Sequence, residues 1–458
     1  MAAQVLGGVE EAAGTVSETL PLLELRLGPI AHGGHTVARH EGRVVFVRHG
    51  IPGELVRVQL TEAEEGKKFW RADVVEVLDP APSRRPHVWA PADSPSAYAA
   101  GTLPVGGAEF GHIELSEQRR LKAAVVREQL SRLAHVELDV VVEPVPVDGG
   151  SSSSEGLHWR TRCSFAVDGE GRLAMHAHRS DAVVPIRDMP LAVEEIEDLG
   201  LWDTDLSGVE RVEVAAPSAG SAPLVIFTLQ DGVDSSRLAE LVEAVDPRAS
   251  VSAVGPDGGA PLTLRGRGSV TEEVEGFHYT VTGEGFWQIH RRAPETLMRA
   301  ALDAVEPALL KGSVAADLYA GAGLFTAPLA AAVGPSGAVL SVEGSPGTSR
   351  DARRTFKRQP QVDVVQGRVE RVLRRHAGTR FDAVVLDPPR AGAGREVVRG
   401  LVDLAPRAIA YVACDPASFA RDLGWFRDGG WRLEWLRAFD LYPQTHHVET
   451  VALLTPGW

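Results

Sequence analysis

Short runs of alternating apolar and polar residues fill the first part of the chain, and a different rhythm takes over beyond residue 286. Between residues 21 and 80 the runs are Leu23-Leu25-Leu27, Val44 to Val47, Leu55 to Val58 and Ala72 to Val77. Gly33-Gly34, Gly42, Pro52-Gly53 and Gly66 separate them. Short strands at regular spacing with turn residues between them predict a small all-β, OB-like barrel. Residues 1–20 read as a flexible acidic tail, and Pro80-Ala81-Pro82 closes the unit. Residues 81–285 predict a central α+β domain. It starts irregularly, continues into a helix over 113–134 marked by Leu115, Leu121, Val125 and Leu130, and carries a flexible glycine–serine loop near 148–156. Strand-like runs such as Leu224 to Leu229 then mix with acidic helical pieces.

From 286 to 458 the apolar runs become nearly continuous: 314–319, 338–342, 362–365, 381–386 and 408–413, with helical stretches between them. Runs without polar alternation predict strands buried on both faces, so this part reads as an α/β domain built on a parallel, Rossmann-like sheet. Two last runs, 431–440 and 447–454, joined by Pro443-Gln444-Thr445, suit an antiparallel pair at the sheet edge.

Composition narrows the setting. No run of 18 apolar residues exists, so no membrane partner is expected. The start of the chain lacks a basic segment followed by an apolar one, and there are only two cysteines, Cys163 and Cys414. Neither secretion nor a disulfide framework is expected, and the compartment implied is the cytoplasm. The net charge of −15 is local: residues 191–284 hold 18 Asp/Glu against 5 Lys/Arg, leaving −2 for the rest. Basic stretches such as Arg350-Arg353-Arg354-Lys357-Arg358 survive elsewhere, so bulk charge does not exclude a polyanion.

Four blocks carry the chemistry. Asp317 to Gly323, at a strand-to-helix turn, has Gly321 and Gly323 where close backbone approach by a ligand needs them. Glu343, twenty residues after Gly323 at the end of the next strand, is placed to accept hydrogen bonds from ribose hydroxyls. The block lacks the third glycine of the dinucleotide fingerprint, which favours an adenosine cofactor without a pyrophosphate over a dehydrogenase's NAD. Asp387, with Pro388-Pro389 behind it, ends a third strand on a stiffened loop. Cys414 ends the next strand just before Asp415-Pro416, where a starting helix lowers a thiol pKa. A buried structural cysteine is the plain alternative. Glu449 interrupts an apolar strand, and it either has a task there or turns to solvent at a sheet edge.

In this order the blocks resemble the RNA uracil-5 methyltransferase family, over nearly the whole chain. Leu386-Asp387-Pro388-Pro389-Arg390, Cys414-Asp415-Pro416-Ala417 and His447-Val448-Glu449 carry the likeness in the last third. Residues 24–80 look like a TRAM barrel, Trp159 to Pro190 like the central domain, and Phe286-Trp287-Gln288 like the aromatic-Gln element before the catalytic fold. The resemblance implies a class I methyltransferase fold and S-adenosyl-L-methionine as cofactor, with Gln288, Tyr319 and Glu343 among its binding positions. It implies Cys414 as the nucleophile adding to C6 of uracil, Glu449 as the base for the C5 proton, and Asp387 beside cofactor and target base. The partner implied is RNA, with 23S ribosomal RNA favoured over transfer RNA, and the protein is expected to act as a monomer. Many relatives bind an iron–sulfur cluster through four cysteines ahead of the central domain. The matching stretch here, Gly106 to His112, has none, so no cluster is expected. Leu324 and Gly367 also depart from the family pattern.

Two rival functions stand beside this one. A cytosine-5 RNA methyltransferase places a cysteine in or beside the Asp-Pro block, where Arg390 stands here. A catalytically dead RNA-binding protein would have no reason to keep Cys414, Asp387 and Glu449 together.

Overall fold

The computed structural model describes residues 22–64, 66–147, 156–218, 220–283 and 285–457. The expected tail (1–20) and nearly all of the expected loop (148–156) lie outside the described residues.

The first 80 residues supply a six-stranded sheet in the order Leu22–Arg26, Leu55–Glu62, Phe69–Asp79, Arg43–Arg48, His35–His40 and Ile30–Ala31. Alternate residues (Leu25, Val45, Val47, Val56, Val58 and Val74) point into one buried core, as the period-two pattern requires. Breaks in register between Leu55–Glu62 and Phe69–Asp79 bend the long strands and let the sheet curl around that core.

A seven-stranded mixed sheet follows, with Arg162–Val167, Val209–Ala215 and Leu224–Leu229 at its centre. Helix Ser235–Ala244 crosses between its one parallel pair, Leu224–Leu229 and Ser250–Val254. A separate hairpin, Ser269–Val274 with Phe277–Thr282, leads towards the last unit.

That last unit is an eight-stranded sheet ordered Val362–Gln366, Ala338–Glu343, Val314–Leu318, Ala383–Leu386, Ala408–Ala413, Glu449–Pro456, Trp431–Asp440 and Val142–Pro144. The first five strands are parallel. Their residues alternate between two cores: Ala315, Val385, Ala410 and Val412 face one, while Ala316, Val384, Ile409 and Tyr411 face the other. Both faces being buried explains the unbroken apolar runs.

One boundary differs from the expected domain plan. Helix Leu115–Gln129 packs through Ala123 and Val126 into the core shared with Phe419 and Phe426, and Val142–Pro144 adds an edge strand parallel to Trp431–Asp440. A three-residue strand is too short to show a period, so the sequence leaves this docking unmarked. Among the described residues no helix is long and apolar enough to cross a membrane.

Candidate active site

The carboxyl ends of the parallel strands converge on one edge, where ligands bind in open α/β sheets. A cavity of about 920 Å³ lies there. Its walls include Gln288, Tyr319, Gly321, Glu343, Asp387, Cys414 and Glu449, so seven of the eight residues singled out in the sequence meet in one space. Gly33, Gly34, Arg48 and His49 of the six-stranded unit and Trp159 and Arg160 of the central unit complete it.

The eighth residue, Gly323, does not line the cavity. Its φ is +99°, and a Cβ there would come within 2.3 Å of the Phe356 ring, so its glycine serves backbone conformation and packing. Gly321, at φ +56°, is the opposite case. A Cβ there would meet nothing within 4 Å, which leaves the turn open to a ligand. Glu343 ties this turn down: Oε2 accepts the Gly321 N–H at 2.9 Å and Oε1 accepts the Ser345 N–H at 2.6 Å. A carboxylate has lone pairs to spare beyond those two bonds. Tyr319 holds φ +63°, an uncommon conformation for a residue with a side chain. Phe286 at the cavity wall is 62% exposed, an apolar ring free to stack. Leu324 lines the cavity while its carbonyl accepts from the Tyr279 hydroxyl at 3.1 Å, and the N–H of Gly367 donates to the Glu343 carbonyl at 2.9 Å.

Under the turn lies Asp317, fully buried. Thr326 Oγ1 donates to its Oδ2 at 2.5 Å, while Oδ1 has no partner, and burial pushes its carboxyl up to about 7. An open glycine cradle, an anchored carboxylate and an exposed aromatic ring together suit an adenosyl group.

The reacting end is set by strand register. Ala413 pairs with Thr450 across two antiparallel strands, so Cys414 and Glu449 are the next residues on each. Glu449 starts its strand rather than lying within it, and His446 and His447 belong to the turn before. Burial pushes the Glu449 carboxyl up to about 7, while the Tyr442 hydroxyl, donating to Oε1 at 2.9 Å, and the charge of Arg390 both favour its ionised form. Burial, then the charges of Glu449 and Asp317, hold Asp387 well above the usual carboxylate range.

The thiol departs from expectation. Burial, followed by Glu449 and Asp387, pushes Cys414 up to about 12, with only Arg390 acting the other way. Helix Pro416–Asp428 does begin beside it, but Asp415 caps that helix by accepting the Ser418 N–H at 2.8 Å and so places a carboxylate where the helix end would have acted alone. The Asp415 carboxyl is held down at about 2, against its own burial, by His32 and by the Ser418 N–H. His32 Nε2, from the six-stranded unit, lies 2.7 Å from Asp415 Oδ2.

Sequence reasoning missed Tyr442, His32 and Glu109. Glu109 accepts the His446 N–H at 3.1 Å and also bonds the His446 ring. Each joins the site from more than 300 positions away or through a turn with no motif; the lone polar tip of Tyr442 between apolar neighbours was the one available signal.

Residues 369–456 match the family model described as tRNA (Uracil-5-)-methyltransferase. A Streptomyces avermitilis protein described as an uncharacterized RNA methyltransferase is 43% identical over 443 residues, covering 95% of this chain and 98% of that protein. One from Bifidobacterium longum with the same description is 37% identical over 449 residues, covering 95% and 97%. The crystal structure of Pyrococcus abyssi tRNA (uracil-54, C5)-methyltransferase in complex with S-adenosyl-L-homocysteine superposes with a TM-score of 0.66 over 94% of this chain and 99% of that one, at 21% identity. The shared architecture is that of a class I methyltransferase.

Proposed function

The chain belongs to the RNA uracil-5 methyltransferase family, and from that premise we propose that it methylates C5 of a uridine in RNA through a covalent bond between Cys414 and C6. The observation that carries the reading is the register that sets Cys414 beside Glu449 on the wall that also holds Gly321 and Glu343.

Gly321, Glu343, Gln288 and Tyr319 would hold S-adenosyl-L-methionine, which would supply an electrophilic methyl group. The residues of the chain do the rest. Cys414 Sγ, its proton passed to solvent, bonds to C6 as the thiolate, and the C5–C6 π pair moves onto C5, otherwise a poor nucleophile. C5 would take the methyl group as its bond to the sulfonium sulfur breaks, leaving S-adenosylhomocysteine in the cofactor site. Glu449 accepts the C5 proton, the C6–S bond breaks, and the electron pair returns to sulfur. A base whose pKa lies near 7 suits that transfer at neutral pH. Arg390 is the cation that favours both the thiolate and the Glu449 carboxylate. Asp387, whose carboxyl is pushed well above its usual range by burial, faces the same cavity and would hydrogen-bond the ring.

The target base has to leave its stack to enter, at a cost of roughly a few kcal/mol. Stacking against an aromatic side chain, at ~1–3 kcal/mol per base, would offset it. The six-stranded unit acts in this reading as a TRAM barrel that holds RNA and walls the pocket, which keeps 23S ribosomal RNA ahead of transfer RNA. Mass mapping of 5-methyluridine in RNA from cells with and without the protein tests this. Loss of one modified uridine supports the reading, and an unchanged map refutes it.

A further inference from the structure

Tyr442 belongs to none of the motifs, yet it is the residue most firmly attached to Glu449. Its hydroxyl donates to Oε1 at 2.9 Å, and among the described residues no other donor reaches that carboxylate. Both residues line the cavity. The phenol ring is met edge-on by Trp159 and by His447, with centroids 6.0 and 5.9 Å away.

The backbone around it is pinned. The Tyr442 carbonyl accepts from the buried ammonium of Lys122 at 2.9 Å, and that ammonium also bonds Asp440 Oδ1 at 2.6 Å. Two residues on, Gln444 N–H donates to Gln118 Oε1 and Gln118 Nε2 donates to Gln444 Oε1, each at 2.8 Å. Lys122 and Gln118 both come from helix Leu115–Gln129, so the turn is clamped from outside the catalytic sheet. These contacts fix the backbone from which the phenol projects.

We propose that Tyr442 is a positioning residue for proton removal: its hydroxyl fixes one oxygen of Glu449 and leaves the other for the C5 proton. This rests on Glu449 being the base. The groups facing Glu449 are Asp387 and Arg390 from the loop after Ala383–Leu386, Cys414 from the end of the neighbouring strand, and Tyr442 itself. Burial holds the phenol well above its ordinary range, so it remains a donor. A hydrogen bond to the charged form lowers a carboxyl pKa. Removing it leaves burial opposed by Arg390 alone, so Glu449 would ionise at higher pH.

The test compares full-length Tyr442→Phe with wild type, using RNA labelled with tritium at C5 of uridine and prepared from cells lacking this protein. Tritium release is followed from pH 6 to 9. The acid limb of the rate profile is expected to move up by about one to two pH units, the yield of one charge-assisted hydrogen bond. The affinity for S-adenosylhomocysteine should be largely kept. An unmoved limb, with or without a uniform loss, overturns the role of Tyr442 and leaves the base assignment standing. No tritium release from wild type would instead remove the C5 methylation reading, and this inference with it.

Discussion

Cys414 and Glu449 occupy adjacent register positions at the ends of two antiparallel strands, one step beyond the Ala413–Thr450 pair. Sheet pairing, with neighbouring strands roughly 4.7–4.9 Å apart, therefore brings the nucleophile and the base together without help from a flexible loop. Chemistry at the two neighbouring ring carbons, C6 and C5, calls for such neighbours.

Glu449 is stored in the folded protein at a thermodynamic cost. Its carboxyl rises from an ordinary 4.5 to about 7 because burial disfavours the charge. Between those values the native state binds the proton that the unfolded chain has released, so this group's contribution to stability falls as pH rises from about 4.5 to 7. Glu449→Gln cannot ionise and escapes the loss. Its stability should come nearest wild type at or below about pH 4.5 and exceed it at pH 8, where the difference approaches about 3 kcal/mol and shows as a higher melting temperature. A difference that does not change with pH would contradict this.

The two glycines of the cofactor turn should separate by phenotype. Gly323→Ala drives a methyl group into Phe356 at a positive φ and should destabilise the fold, seen as a lowered melting temperature. Gly321→Ala is strained only by its own positive φ, so it should cost less stability while weakening S-adenosylhomocysteine binding, measured by calorimetry. Equal effects on both readouts would contradict the division.

The parallel sheet and its glycine turn were legible because burial on both faces writes continuous apolar runs, and because strand ends such as Leu318, Leu386 and Ala413 are followed at once by Tyr319, Asp387 and Cys414. What stayed hidden depends on tertiary placement. Nothing local tells Val142–Pro144 that it will extend a sheet whose other strands begin 170 residues later, or tells His32 that it will meet Asp415. The thiol was misjudged for a related reason. The helix start is visible in Asp415-Pro416, whereas the buried carboxyl groups of Asp387 and Glu449 converge on the sulfur only in three dimensions.

Purified protein should be colourless and free of iron, since Gly106 to His112 offers no cysteine and the sequence holds only two. Elemental analysis showing stoichiometric iron would contradict this.

The most direct measurement is mass spectrometry of Glu449→Gln incubated with RNA and S-adenosylmethionine, denatured and digested. With the C5 proton unable to leave, the account predicts a methylated uridine nucleotide bonded to the peptide that contains Cys414, and no such species from Cys414→Ala. A nucleotide bonded elsewhere, or Cys414→Ala that still forms 5-methyluridine, would contradict it.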